Sequence, residues 1–253
     1  LNYIKVTGLT KDSQGKISGL TVRDLNAKKS YSLLAKMVVN ATGVFADKIL
    51  QLDNPSAPKT IQPSQGIHLV LDLSFLGGED ALMIPKTKDG RVLFGVPWHN
   101  KLLLGTTDTI REKAKLEPKA LEKEIDFVLE TAGAYLTKKP ERKDIKAVFA
   151  GLRPLARPEE GSTKTKEISR SHKIICSPSG LVSLTGGKWT TFRKMGEDTL
   201  NYFTQITGQP VSASTSATQK IHGFSKKTPS GHWAVYGTDA KKIKALANQQ
   251  PEL

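Results

Sequence analysis

The stretch Leu184–Met195, LTGGKWTTFRKM, carries the reading of this chain. An apolar run (LVSLTGG from Leu181) enters a glycine pair, and an amphipathic run (TTFRKM) leaves it. That order spells a strand, a tight turn and the first turn of a helix. The first N–H groups of a helix lack internal partners and carry partial positive charge. Glycines Gly186 and Gly187 would let a ligand approach the backbone, Lys188 adds a charge beside the opening, and Thr190 can cap the helix. Two readings stay open on these residues: a junction that receives an anionic or polar ligand, or a glycine turn with a solvated lysine.

Upstream, MVVN (Met37–Asn40) is a short apolar run ending at ATG, suited to a buried strand of a parallel sheet. It is followed by VFADKILQL, with Phe45, Ile49 and Leu52 at helical spacing. Before it, KISGLTVRDL and YSLLAK read as strands joined by a turn at AKKS, with Gly19 as a bulge position. The proline- and serine-rich segment Asn54–Gly66 reads as a crossing linker. Beyond it come short strands with tight turns: IHLVLDL, a hairpin about Asp89-Gly90, and KLLLGTTD. Leu121, Ile125, Val128, Leu129, Ala132 and Leu136 mark one face of a helix entered after Pro118. A strand ending at Pro154 follows, then two strands joined at Pro178-Ser179-Gly180, a helix with Phe192, Met195, Thr199, Leu200 and Phe203 on one side, a small polar linker from Gly208 to Thr218, and a last short helix. The layout predicts an α/β class with α+β character: a discontinuous nucleotide-binding domain carrying an inserted antiparallel sheet.

Composition excludes several classes. The chain has 253 residues, 38% hydrophobic and 25% charged, an ordinary globular balance. A single cysteine, Cys176, rules out an internal disulfide and points to a reducing cytosol. No apolar run approaches the ~18 residues of a membrane helix, and no leader pattern opens the chain. Leu1 in place of an initiator methionine, at the start of a strand, suggests a piece of something longer. The net charge of +14 favours anionic partners, including a membrane surface. Its lysines are scattered, however, with no dense basic block interleaved with aromatics, which speaks against nucleic acid. The histidines show no metal spacing, and no G-x-G-x-x-G, Walker or nucleophile-elbow motif occurs.

Chemistry could sit at five further places. Arg153, in GLRPLARP, ends an apolar strand, so it must be paired internally with an aspartate or face a cavity, where its fork suits phosphate or carboxylate. Arg170, in ISRSH, is either a loop arginine or a second cation. His68 alternates with Ile67 and Leu69 and so faces away from the core, as a structural histidine or a general base. Thr106, Thr107 and Asp108 follow a strand through Gly105 and read as turn and capping residues. Thr42 and Gly43 stand at the end of the buried strand, where α/β sheets hold ligands.

Taken together, VVNATGVFADKI, SQGIHLVLD, LFGVPWHNKLLLGTTDT, GLRPLARP, ISRSH and LTGGKWTTFRKMGEDT, in this order, closely resemble the FAD-dependent glycerol-3-phosphate dehydrogenases, members of the D-amino-acid-oxidase-like flavoprotein group. The resemblance runs from about Ile17 to about Phe203. It implies FAD as cofactor and oxidation of sn-glycerol 3-phosphate to dihydroxyacetone phosphate by hydride transfer to flavin N5, with quinone or oxygen as electron acceptor. It implies Arg153 and Arg170 on the substrate phosphate, and His68 and Lys188 as catalytic groups. Thr42, Gly43, Gly186, Gly187, Trp189 and Thr190 would meet the flavin. It assigns 1–53 to a partial FAD-binding domain, 54–183 to a substrate domain, 184–207 to the return into the FAD domain, and 208–253 to a linker and the start of a C-terminal helical domain. The family's N-terminal glycine-rich motif and a substrate-contacting arginine near it are absent, so these residues alone are expected to hold FAD weakly or not at all. A cytoplasmic location, peripheral on the inner face of the cell membrane, follows as an expectation. The rival readings are an amino-acid- or amine-oxidising enzyme of the same group, and a non-catalytic basic module docking on anions or membranes.

Overall fold

The computed structural model describes residues 1–85, 87, 90–157, 172–227, 229–250 and 252. The chain divides into two units, Leu1–Met195 and Gly196–Leu253, with the division falling inside a helix.

The first unit opens on an antiparallel meander of β1 (Ile4–Lys11), β2 (Ile17–Asp24) and β3 (Ser30–Leu34). Asp24 accepts from the N–H groups of Asn26 and Ala27 and so builds the AKKS turn. A register shift next to Gly19 confirms the irregularity expected there, and a Cβ on Gly19 would lie 2.0 Å from the Leu33 carbonyl oxygen. The strand β4 (Val39–Asn40) follows, then a single helical turn at Gly43–Phe45 and α1 (Ala46–Asp53).

The middle of the unit is a sheet built from β5 (Ile61–Asp72), β6 (Leu82–Ile84), β7 (Leu93–Trp98), β8 (Lys101–Gly105) and β9 (Thr109–Ile110), covered by α2 (Glu122–Gly133) and completed by β10 (Ala147–Ala156). Among the described residues the strand order is β10-β5-β8-β7-β6, with β9 on β5. The alternation of β5 explains its two faces. Ile67, Leu69 and Leu71 are fully buried and join Leu93, Leu102, Leu104 and the α2 residues Val128, Leu129 and Ala132 in one core. Ser64, Gly66 and His68 point to the other face.

Three expectations change here and one, the hairpin, holds. The crossing linker is shorter than read, because β5 begins at Ile61. β10 continues past Pro154 to Ala156, with Pro154 directly opposite Pro63, so two residues without a donor share one position of the ladder. The Asp89-Gly90 hairpin does join β6 to β7, although Asp89 itself lies outside the described residues. The third change concerns β11 (His172–Cys176) and β12 (Val182–Gly186). Both fall wholly or partly within the 54–183 segment, yet they form a separate sheet in the order β11-β12-β4. β12 runs parallel to β4, with Val182 opposite Val39 and Ser183 opposite Asn40. The segment that returns to β4 therefore starts by His172.

A buried carboxylate ties the distant segments of this unit together. Asp53, at the end of α1, has a side chain 4% exposed, pairs with Lys11 at 2.8 Å, and accepts hydrogen bonds from Ser177 and Ser179 in the β11–β12 turn. Burial works to raise its pKa, but the bonds from Lys11, Ser179 and Ser177 outweigh burial and hold the carboxyl below its ordinary value. A depressed folded-state pKa stabilises the fold above the unfolded-state pKa, and that stability is lost as pH falls through the folded one. Asp53→Asn is expected to cost about 1–3 kcal/mol at pH 7. In thermal unfolding the gap from the unsubstituted chain should close as pH drops below the usual carboxylate range; a gap that persists in acid would show that the charge is not what matters.

α3 (Phe192–Thr207) leaves the first unit. In the second unit, taken by itself, a turn at Gly231–Asp239 leads into α4 (Ala240–Gln249). Thr238 donates to the Gly223 carbonyl at 3.0 Å, and His222 pairs with Asp239. Among the described residues no helix is long and apolar enough to cross a membrane.

Candidate active site

The outer face of β5 and β10 brings together residues 81 to 89 positions apart in the sequence. In the register, His68 lies opposite Phe149, Gly66 opposite Gly151 and Ser64 opposite Arg153, so all six share one face. On the other side of β5, His68 lies opposite Gly105. Two bare positions set the geometry. The Arg153 guanidinium lies over Gly66, where a Cβ would sit 2.4 Å from Nη2. The His68 ring lies over Gly105, where a Cβ would sit 2.4 Å from Cδ2. Each functional side chain is thus laid along the sheet by a glycine on the next strand or the next register position. The His68 ring also stacks on Phe149, with centroids 5.1 Å apart and planes 10° from parallel.

Arg153 is held by the loop after β8. Nη1 donates to the Thr107 carbonyl at 3.0 Å and Nη2 to Thr106 Oγ1 at 3.0 Å. Asp108 is the internal aspartate that the sequence allowed: its Oδ1 is 3.6 Å from Nη1, and it also accepts a short hydrogen bond from Ser64. The guanidinium remains part-exposed, its side chain 38% accessible. Burial lowers the pKa of His68 and the nearby Arg153 charge lowers it further. The imidazole is therefore neutral at pH 7 and able to accept a proton.

The second cluster lies at the ends of the parallel pair. Asn40 is 1% exposed. Its amide donates to the Ala46 carbonyl and to Ser183 Oγ of β12, and its Oδ1 accepts from the Thr42 hydroxyl at 2.7 Å. This fixes the Thr42–Gly43 turn against β12. The Gly43–Phe45 turn in turn packs on β5, β10 and β12, which places it beside the Arg153 and His68 sheet. At the end of β12, Gly186 and Gly187 have φ of 69° and 74°, values that side chains resist. Lys188 starts the following turn, but the hydroxyl that closes it belongs to Thr191, which donates to the Lys188 carbonyl at 2.9 Å; the expected cap, Thr190, is exposed. Lys188 and Trp189 are also exposed. Arg170 lies outside the described residues. Among the described residues no group of three or more His, Cys, Asp and Glu is placed to hold a metal ion.

The parallel ends of β4 and β12, with two glycine turns side by side, form the type of crevice in which α/β sheets take a nucleotide. Gly43 has positive φ and nothing within 4 Å of where a Cβ would stand, leaving open space above that turn. The FAD dependent oxidoreductase family matches residues 1–193. The chain belongs to this family. Its class of mixed helices and several sheets is that of the family. The second glycine junction is more closely covered than the Gly43 turn, since a Cβ on Gly187 would lie 2.6 Å from Met195 Sδ.

Curated relatives of the chain include the mitochondrial glycerol-3-phosphate dehydrogenases of Arabidopsis thaliana and Homo sapiens. The first is 37% identical over 250 residues, covering 98% of this chain and 38% of the relative. The second is 38% identical over 207 residues, covering 79% and 28%. The chain spans about a third of the length of the curated relatives it matches. Among solved structures, the glycerol-3-phosphate dehydrogenase from Bacillus halodurans complexed with FAD superposes with a TM-score of 0.76 at 29% identity, covering 98% of this chain and 45% of that one. L-α-glycerophosphate oxidase from Mycoplasma pneumoniae shares the fold at a TM-score of 0.55 and 15% identity, over 84% of this chain and 52% of that one.

Proposed function

We propose that the full-length protein oxidises sn-glycerol 3-phosphate to dihydroxyacetone phosphate with FAD. The observation that carries this reading is the pairing, on one sheet face, of a half-buried arginine with a neutral histidine beside the Gly43 turn. Arg153 recognises the phosphate through its fork, as a point charge could not. The carbonyl of Thr107 and the hydroxyl of Thr106 fix the plane of that fork. His68 takes the proton of the C2 hydroxyl onto an imidazole nitrogen, while the C2 hydrogen leaves with its electron pair and the C2–O bond becomes a carbonyl. FAD, when bound, would supply the acceptor for that hydride, at N5. Thr42, Gly43, Gly186, Gly187, Trp189 and Thr190 would hold the cofactor, the glycines through backbone N–H groups. Lys188 would supply positive charge toward the reacting oxygen and the flavin ring. Arg170 is the candidate for a second cation on the phosphate.

In this reading 1–53 and the return from β11 onward belong to a FAD-binding domain, the six-stranded sheet with α2 is the substrate domain, and 208–253 opens a further helical domain. Quinone or oxygen receives the electrons. The charge of +14 supports a peripheral seat on an anionic membrane surface, on the inner face of the cell membrane for a cytoplasmic enzyme. Several relatives carry the word mitochondrial in their names.

The test is turnover of the full-length protein with a dye acceptor, comparing glycerol 3-phosphate with glycine and sarcosine. Reduction driven by glycerol 3-phosphate alone is expected. Turnover of the amino acids instead would overturn the reading and assign Arg153 to a carboxylate.

A further inference from the structure

One buried charge is not used by the proposed reaction. Glu124 lies in the first turn of α2, on the core side of the sheet, and is 2% exposed. It was not legible in the sequence, because Glu122 and Glu124 flank Lys123 in the same first turn and look alike as solvent-facing helix starters. The structure separates them: Glu122 is exposed, whereas Glu124 accepts from three directions. Leu121 N–H donates at 2.9 Å, Gln65 Nε2 at 2.7 Å and Thr107 Oγ1 at 3.1 Å. Burial works to raise its pKa, but these bonds together outweigh burial and hold the group ionised.

The neighbours are arranged around that charge. Gln65 gives its amide donors to Glu124 and to the Lys119 carbonyl, which leaves its own Oε1 buried without a partner among the described residues. Turning the amide over would satisfy the oxygen no better and would set it against two acceptors. Thr107 is clamped on both sides: its hydroxyl donates to Glu124 and accepts from Ile67 N–H of β5 at 3.1 Å. The carbonyl of the same Thr107 receives Arg153 Nη1. A continuous path therefore runs from a carboxylate on the core side, through one residue of the loop, to the guanidinium on the opposite face.

We infer that Glu124 is a positioning residue for the phosphate-binding arginine: by locking Thr107 against β5 it fixes the carbonyl that sets the plane of the Arg153 fork. This rests on the reading of Arg153 as the phosphate ligand. A carboxylate suits the task because it accepts all of these bonds at once, whereas an amide must present donors to at least one of them. A neutral glutamine in its place leaves Thr107 and Gln65 competing for one acceptor, and the loop relaxes away from its register with β5.

The experiment uses the full-length, FAD-loaded protein and a double-mutant cycle on kcat/KM for glycerol 3-phosphate. Glu124→Gln is expected to raise KM about tenfold with a much smaller fall in kcat, as expected for a lost charge-assisted bond, while the visible flavin spectrum keeps its shape and intensity. In an Arg153→Met background, Glu124→Gln should change kcat/KM less than twofold, since no fork is left to orient. Thr107→Val, which removes only the linking hydroxyl, should reproduce the KM effect and carries the test if Glu124→Gln does not fold. Effects of Glu124→Gln and Arg153→Met that multiply, or a KM left unchanged by Glu124→Gln and Thr107→Val while Arg153→Met raises it, would overturn the positioning role. If Arg153→Met itself leaves KM unchanged, the assignment of Arg153 to the phosphate fails first, and the positioning role falls with it.

Discussion

Replacement of His68 by asparagine in the full-length protein is expected to lower kcat with glycerol 3-phosphate by about 100- to 10,000-fold, the range that a positioned general base contributes. The expectation rests on the state of the ring as well as on its place. Burial in the sheet, and then the Arg153 charge, hold the imidazole's pKa below its ordinary value, so at neutral pH it is a base without a proton. A base that must be deprotonated gives a kcat/KM that climbs with pH through that lowered pKa and is level above it. The limb should therefore lie on the acid side of an ordinary histidine, and His68→Asn should abolish it while KM changes little. Flavin reduction followed by stopped flow measures both. An unaltered acid limb in His68→Asn would assign the proton to another group. Asparagine keeps a planar polar group over Gly105 and against Phe149, which limits the packing loss.

The second large effect is expected at Arg153. Arg153→Lys should raise KM for glycerol 3-phosphate by about 30- to 100-fold and alter kcat far less, because the lost bonds are to a charged group and are made to substrate and transition state alike. The charge is retained in this substitution, so the loss isolates the fork. Lysine would still have one donor to offer the Thr107 carbonyl, but it cannot bond Thr107 and Thr106 in one plane while facing a phosphate. Steady-state kinetics with glycerol 3-phosphate, and inhibition by inorganic phosphate as an independent probe, give the answer. A KM within twofold of the parent would remove Arg153 from the site.

How much of this was readable from the residues differs by location. The strand-turn-helix order around Gly186-Gly187 and the helix carrying Leu121 to Leu136 were legible because hydrophobic period and glycine placement are local signals. So was the demand that Arg153 find a partner, although only the structure shows that Asp108 and the 106–107 loop meet it together. The start of β5 was hidden by Pro63, whose meaning depends on facing Pro154 some 91 residues later. Asn40 and Glu124 were hidden for the same reason. A buried amide and a buried carboxylate are recognisable by their partners, and Ser183, Gln65 and Thr107 come from other parts of the chain. At the second junction the hydroxyl that bonds across the turn is that of Thr191, to the Lys188 carbonyl, and not that of Thr190.

The short parallel strand β4 has a consequence for how the molecule is made. Asn40 meets its amide's partner Ser183 from 143 residues away, and Val38 accepts its ladder bond from Val182. As the polypeptide emerges from a ribosome, β4 has nothing to pair with until the whole intervening sheet has been synthesised. The sheet of β4, β11 and β12 therefore closes late, and Val38 stays uncovered until Val182 has been made. Lesions that merely slow the maturation of the intervening segment are expected to be seen first as nascent chains captured by chaperones, before any lesion is visible in the finished protein.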